Sequence, residues 1–295
     1  MENMNKVLVT GASGFIGANV VGRLSTRYHV LGTYNNSPKG GENPDPYHLD
    51  ITDKAETQRV IREIKPECIV HCAAIGTTSQ DQYLTRRVNV EGTRNIVDCC
   101  LERGIKLVFL STDFVFDGNL GRYREDAVPN PIEGYGQTKH EAETAVGKAP
   151  RHCIVRTSLV YGWETPSQHP NFVTRLIQEI RSKRNFKAFT DIFRTPSALE
   201  DILLAIERII DLDHSGIAHV APPDYVNMYD FAQRVADIFE LDKSYILLGN
   251  SLESERERGK PKKLGLDSKA TQGALGIRFR NLLEGLDEMK SSQRK

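Results

Sequence analysis

Over the first half of the chain, short runs of apolar and β-branched residues alternate with longer stretches whose apolar residues recur at helical spacing. The short runs predict strands at 6–10, 29–34, 47–49, 68–72, 106–111 and 152–156. The longer stretches predict helices at 14–26, 53–64, 83–103 and 134–147. Runs such as Leu107-Val108-Phe109-Leu110 are apolar without alternation, so both faces of the strand must be covered. Strand and helix in turn, with strands of that kind, predict an α/β fold: a doubly wound parallel sheet with helices on both faces.

The rhythm changes after residue 157. A loop at 161–170 is followed by helices near 171–182, 197–211 and 228–239. The expected division is therefore a first unit at 1–157 and a smaller, mostly helical region at 158–295. A strand at 217–220 could return to the main sheet. Residues 251–263 are charged and read as a loop, either a solvated face or a clamp on a ligand.

Composition narrows the function classes. At 295 residues the chain is long enough for a substantial core, and 39 Lys and Arg balance 39 Asp and Glu, which leaves no net field for nucleic acid or a membrane surface. Small molecules are the expected ligands. No signal-peptide pattern opens the chain and no apolar stretch is long enough to span a bilayer, so a cytoplasmic protein is expected. Cys68, Cys72, Cys99, Cys100 and Cys153 are odd in number and lack paired CxxC spacing, which argues against a disulfide framework or a metal site.

Two sites change this picture. Gly11-Ala12-Ser13-Gly14-Phe15-Ile16-Gly17 joins the first predicted strand to the first predicted helix. In such a turn one glycine takes positive φ, a second lets backbone approach a pyrophosphate and a third lets helix pack on strand, while the helix N-terminus offers unpaired N–H groups. The backbone of Gly11, Ser13, Gly14, Phe15, Ile16 and Gly17 is the candidate cradle for a dinucleotide. An NAD-type site would carry an acid at the end of the second strand, yet Thr33-Tyr34-Asn35-Asn36-Ser37-Pro38-Lys39 has none. NADP is favoured over NAD, with Asn35, Ser37 and Lys39 as contacts to the 2′-phosphate. Asp50 and Ile51, closing the third strand, are placed to meet adenine, or Asp50 caps the following helix.

The second site is Tyr135-Gly136-Gln137-Thr138-Lys139. Four apart on a helix, Tyr135 and Lys139 share a face, and an ammonium beside a phenol is expected to lower the phenol's pKa, making Tyr135 a general acid toward an alkoxide. Thr112 lies where a predicted strand reaches the C-terminal edge of the sheet, the side on which doubly wound folds bind ligands. Its hydroxyl completes a three-residue group for reduction of a carbonyl.

With these residues in view, the chain resembles an extended short-chain dehydrogenase/reductase with a Rossmann fold. Ser111-Thr112-Asp113-Phe114-Val115-Phe116-Asp117-Gly118 followed by Tyr135 to Lys139 is similar to the dTDP-4-dehydrorhamnose reductase branch, and residues 156–162, Asn171-Phe172-Val173 and Lys260-Pro261 extend the likeness over most of the chain. The resemblance implies that Thr112 orients the carbonyl, Tyr135 donates the proton, and Lys139 lowers the tyrosine pKa and binds the nicotinamide ribose. It further implies that Ala73 and Ala74 flank the cofactor, Asn89 braces the site, and Asp113 and Phe114 face a nucleotide-sugar substrate.

Asn171, Arg194 and Lys260 are the remaining substrate candidates, the last two as a diphosphate clamp by charge-assisted hydrogen bonds. Two positions depart from the branch: Leu159 stands where its members usually have tryptophan, and Ile75-Gly76-Thr77-Thr78-Ser79 replaces an acidic segment. Trp163 could substitute for the missing aromatic or belong to the core. The leading expectation is an NADP-dependent reductase of a 4-keto sugar nucleotide. The alternatives are a sugar-nucleotide epimerase that retains its cofactor, and a non-catalytic NADP-binding subunit like the regulatory subunit of methionine adenosyltransferase. Members of the family are often dimers, and a homodimer is compatible with the resemblance.

Overall fold

The computed structural model describes residues 6–36, 47–77, 79, 81–165, 168–254, 257 and 259–293. The strands are β1 (Lys6–Thr10), β2 (His29–Tyr34), β3 (Tyr47–His48), β4 (Cys68–His71), β5 (Lys106–Thr112), β6 (His152–Thr157), β7 (Phe186–Phe189), β8 (Phe193–Arg194), β9 (Gly216–Val220), β10 (Val226–Asn227) and β11 (Ile246–Gly249). Seven form one sheet in the order β3-β2-β1-β4-β5-β6-β9, and every pairing in it is parallel. Residues 217–220 do return to the main sheet, where Thr157 of β6 pairs with Val220.

Parallel neighbours need long crossovers, and helices supply those from β1 to β2, β3 to β4, β4 to β5, β5 to β6 and β6 to β9. In chain order the helices are α1 (Phe15–Leu24), α2 (Lys54–Ile64), α3 (Gln82–Arg86), α4 (Thr93–Arg103), α5 (Gly134–Val146), α6 (Phe172–Arg181), α7 (Leu199–Asp211), α8 (Met228–Ile238), α9 (Lys269–Leu275) and α10 (Leu282–Ser291). Winding runs outward from β1 in one direction and from β4 in the other. The crevice between the carboxyl ends of β1 and β4 is thus the switch point at which such sheets take ligands.

Successive side chains of a strand point to opposite faces, and here both faces are apolar. Val7, Val9, Val70, Val108 and Val155 pack with Val20 and Leu24 of α1 and Ile202 and Ile206 of α7. Leu8, Ile69, Leu107, Phe109 and Ile154 pack on the other face with Ile61, Ile96, Ala142 and Val146. Each fully buried Val, Leu or Ile contributes about 2 kcal/mol, which is why these strands read as unbroken apolar runs.

A separate cluster built on Val173, Leu176, Ile177, Phe231, Val235 and Leu286 holds the later helices together. Two small sheets accompany it, β7 with β11 in parallel and β8 with β10 antiparallel. At two to four residues each, these strands are too short to leave a periodic signal in the sequence. Trp163 belongs to this core: its Nε1–H donates to the Met289 carbonyl at 2.6 Å, and its ring meets Phe239 edge-on.

One predicted helix is interrupted. Residues 83–103 divide into α3, a widened π-helical turn at Arg87–Gly92, and α4. The turn sets Asn89 against the loop after β4, and a Cβ at Gly92 would lie 2.6 Å from the Ile51 side chain, so helix and loop approach as closely as glycine allows. Among the described residues no helix is long and apolar enough to cross a membrane. All five thiols are free, and burial pushes them up, Cys68, Cys72 and Cys153 to about 12 and Cys99 to about 11.

Candidate active site

The glycine turn leaves β1 and enters α1 at the switch point. Gly11 takes φ +66°, and a Cβ there would come 2.7 Å from the Ala73 backbone. At Gly17 a Cβ would stand 2.2 Å from the Gly11 carbonyl oxygen, whereas at Gly14 it would be 3.3 Å away. Gly11 and Gly17 are therefore required by the fold itself, and Gly14 is the residue whose bareness serves the space outside it. Gly14 is the N-cap of α1 and supplies no capping side chain, so the first N–H groups of the helix face the crevice. Ser13 is held at its carbonyl by Gln168 Nε2 at 3.2 Å. A cradle that any side chain would fill, at the positive end of a helix, fits the phosphates of a dinucleotide.

Of the expected adenosine-side residues, Asn35 is exposed at the end of β2, while Ser37 and Lys39 lie outside the described residues. Asp50 does not cap α2. Its Oδ1 accepts from Thr52 N and Oγ1 at 2.9 and 2.8 Å, and Asp53 is the cap, accepting from Glu56 N at 2.9 Å. Ile51 turns its side chain into the core, and its carbonyl accepts from Asn95 Nδ2 at 2.9 Å.

Behind Ala73 and Ala74 runs a buried polar chain. The Ala73 N–H donates to Thr10 Oγ1 at 3.3 Å, Thr10 meets His71 Nδ1 at 2.6 Å, and His71 Nε2 meets Thr93 Oγ1 at 3.0 Å. Burial and Lys139 push the imidazole down to about 3, so it is neutral and each ring nitrogen has one partner. Asn89 braces the same loop: its Oδ1 accepts from Ile75 N at 2.8 Å, and its Nδ2 donates to Ile75 O at 2.9 Å and to Thr138 Oγ1 at 3.1 Å. The loop after β4 is thereby tied to α5, the helix of Tyr135.

Thr112 ends β5, and its Oγ1 accepts from the Phe114 N–H at 3.2 Å. Glu133 caps α5, taking N–H groups of Gly136 at 2.6 Å and Tyr135 at 3.1 Å. A Cβ at Gly136 would lie 2.1 Å from the Phe114 carbonyl, so only glycine lets the first turn of α5 come against the end of β5. That contact brings Tyr135 beside Thr112 and Phe114, whose ring meets the Tyr135 ring edge-on at 6.0 Å. Neither Glu133 nor Gly136 stood out in the sequence, although Glu three residues before Gly136 is a capping spacing.

The expected lowering of the Tyr135 pKa is reversed in this structure. Burial first, then Glu133 and Asp113, push the phenol well above its ordinary value, and the Thr112 hydroxyl opposes them only in part. Lys139 shares the face of Tyr135 but directs its Nζ to the Leu110 carbonyl at 2.7 Å and over the Phe109 ring at 4.0 Å. Burial lowers the ammonium to about 8.

Asp113 is 1% exposed and raised by burial, with Arg194, Ser158 and Thr112 acting the other way. Its Oδ2 is buried without a full hydrogen bond, beside the Ser158 hydroxyl. Arg194 is not a free clamp. It is buried, with Nη1 on the carbonyls of Phe193 and Lys262, Nη2 on that of Pro261, and its guanidinium over Phe114 at 5.5 Å. Lys260 pairs with Glu257 within its own segment at 3.4 Å. Asn171 is committed as the N-cap of α6, with Nδ2 on Gly162 O and Glu164 and Oδ1 accepting from Val173 and Thr174. Leu159 takes φ +41° and packs against the second core.

A glycine cradle at the switch point, with Thr112 and Tyr135 at the next strand end, has the layout of a nicotinamide-dependent reductase. The family described as RmlD substrate binding domain matches residues 4–294. The chain belongs to that family. The probable low-salt glycan biosynthesis reductase Agl14 of Haloferax volcanii is 29% identical over 292 residues, which are 96% of this chain and 97% of that protein. Methionine adenosyltransferase 2 subunit beta of Xenopus tropicalis is 30% identical over 82% of this chain and 74% of its own length. The crystal structure of dTDP-4-dehydrorhamnose reductase from Bacillus anthracis in complex with NADP aligns with a TM-score of 0.86 at 26% identity, covering 98% of this chain and all of that one. The extended short-chain dehydrogenase/reductase fold expected from the motifs is the fold found.

Proposed function

We propose that this protein is an NADP-dependent reductase of a 4-keto sugar nucleotide, with residues 1–157 holding the cofactor and 158–295 shaping the substrate side. The observation that carries the reading is the meeting of Thr112 and Tyr135 at the end of β5, beside the glycine cradle. A bound reduced nicotinamide supplies the hydride. Thr112 donates its hydroxyl to the substrate carbonyl oxygen and holds it for Tyr135. The raised pKa of Tyr135 suits this direction of reaction, because the phenol keeps its proton at neutral pH until an alkoxide, a far stronger base, takes it. Lys139 then offsets the phenolate charge from one turn along α5. Ala73 and Ala74, small and held by the Thr10 and Asn89 bonds, leave room for the nicotinamide.

The absence of an acid in residues 33–39 supports NADP over NAD, with Asn35, Ser37 and Lys39 toward the 2′-phosphate. Titration of cofactor fluorescence is expected to give a dissociation constant for NADPH about tenfold below that for NADH, one charge-assisted contact being worth about 1.4 kcal/mol or more. A preference for NADH would remove the ribose argument.

The likeness to a methionine adenosyltransferase subunit supports a second reading, a cofactor-binding module that acts through a partner. The committed positions of Asn171 and Arg194 favour it to the extent that they leave fewer free groups for a substrate. Assay of NADPH oxidation across a panel of 4-keto sugar nucleotides separates the two: turnover sustains the reductase, and tight cofactor binding without turnover sustains the module. An epimerase would instead purify with oxidised cofactor bound and show no net oxidation.

A further inference from the structure

One turn beyond Lys139 on α5, Glu143 is buried with its carboxylate fully shared. Oε1 accepts from the Ser111 hydroxyl at 2.5 Å and from Arg156 Nε at 2.9 Å, and Oε2 accepts from Arg156 Nη2 at 2.7 Å. Arg156 is buried too, lies 5.1 Å over the Phe116 ring, and directs Nη1 to His219 Nε2 at 3.4 Å. The His219 Nδ1–H donates to the Asp267 carbonyl at 3.1 Å, which leaves Nε2 as the acceptor. Burial and Arg156 push this imidazole down to about 4, in keeping with a neutral ring. The chain of bonds joins β5, α5, β6 and β9, and its first member is the residue before Thr112.

A buried ion pair is a poor device for stability, since desolvating two charges offsets most of their attraction and apolar residues of similar size often serve as well. This one sits where position matters. We propose that Glu143, oriented by Arg156 and Ser111, is a positioning residue for the proton-transfer group: it registers the Lys139 turn of α5 against the Thr112 end of β5 and places its carboxylate as the counter-charge one turn from the Lys139 ammonium. This rests on the reading of Thr112, Tyr135 and Lys139 as the reacting group.

The surroundings of Lys139 leave that task to Glu143. From β4 and the loop after it come His71, neutral, and Cys72, whose thiol burial pushes up to about 12. From β5 come the Leu110 carbonyl and the Phe109 ring, from α5 Tyr135 and Glu143, and behind Glu143 stand Arg156 of β6 and His219 of β9. Among these described groups Glu143 is the one carboxylate. Burial lowers Lys139, and Glu143 is the main influence acting against it.

Replacing Glu143 alone would strand Arg156 as a buried charge, so the test is the double variant Glu143→Met/Arg156→Met. The first readout is the Nζ titration of protein labelled with 15N-lysine, the Lys139 signal being assigned by its loss in Lys139→Met. The wild-type midpoint is expected near 8. The folded double variant should titrate lower, by up to about one unit because the more distant Arg156 charge leaves with the carboxylate, and the alkaline limb of kcat should move down with it, with kcat at pH 7 up to about twofold lower and the KM for cofactor little changed. An unchanged Lys139 midpoint in a folded double variant overturns the proposal. Should the double variant not fold, Glu143→Asp decides, because it keeps the charge on a shorter stem: reduced kcat with an unmoved midpoint sustains the role, and wild-type kcat overturns it. If wild type turns over no sugar nucleotide, the Nζ titration still decides the role of Glu143, and the failure belongs to the reductase reading alone.

Discussion

Tyr135→Phe is expected to lower kcat for NADPH oxidation with a 4-keto sugar nucleotide by about a thousandfold, within the range that loss of a positioned proton donor produces. The substitution removes one oxygen and leaves the ring, its edge-on contact with Phe114 and the Glu133 cap of α5 in place. Thermal stability should therefore hold, and the NADPH dissociation constant should change no more than about threefold, the worth of one modest hydrogen bond. A variant that keeps kcat within a few-fold of wild type would remove Tyr135 from the proton path.

The second large effect separates two glycines of one turn. In Gly17→Ala the new Cβ would stand 2.2 Å from the Gly11 carbonyl oxygen and 3.2 Å from the Ala12 Cα, all backbone that cannot rotate away. Opening that contact costs about 3 kcal/mol, which for a chain of this size lowers the melting temperature by about 5 °C. Gly14→Ala differs: φ −79° and ψ 167° suit alanine, and its Cβ meets the Gly11 oxygen at 3.3 Å. This variant should melt within about 2 °C of wild type but bind NADPH at least about tenfold more weakly, its methyl group occupying the approach of the pyrophosphate. Melting curves beside cofactor titrations check both. A destabilised Gly14→Ala, or a Gly14→Ala that binds normally, contradicts the assignment of the cradle.

What was legible in the sequence was what is local. Strands such as Leu107 to Leu110 declare themselves by being apolar on both faces, and the glycine turn by lying between a strand and a helix. The site was legible where its parts are contiguous, as in Tyr135 to Lys139, or close to a strand end, as with Thr112. It was illegible where partners are distant in the chain. Nothing near Asn89 shows that its carboxamide will hold Ile75 and Thr138, or that the helix will widen there. Arg194 read as a ligand clamp because a lone arginine offers five donors, while the carbonyls of Pro261 and Lys262 that occupy it lie nearly seventy residues away. The Tyr135 pKa went the other way for the same reason: helix spacing reports that Lys139 shares its face, not that burial, Glu133 and Asp113 raise the phenol or that the ammonium faces Leu110.

The most direct test follows the hydride. NADPH carrying deuterium at the transferable position of the nicotinamide is incubated with the protein and a 4-keto sugar nucleotide, and the sugar product and the cofactor are examined by mass spectrometry and NMR. Hydride transfer at this site places deuterium on the former keto carbon and releases one equivalent of free oxidised cofactor for each sugar reduced, and both are lost in Tyr135→Phe. Cofactor that stays bound and unoxidised, with no label in any sugar of the panel, would contradict it.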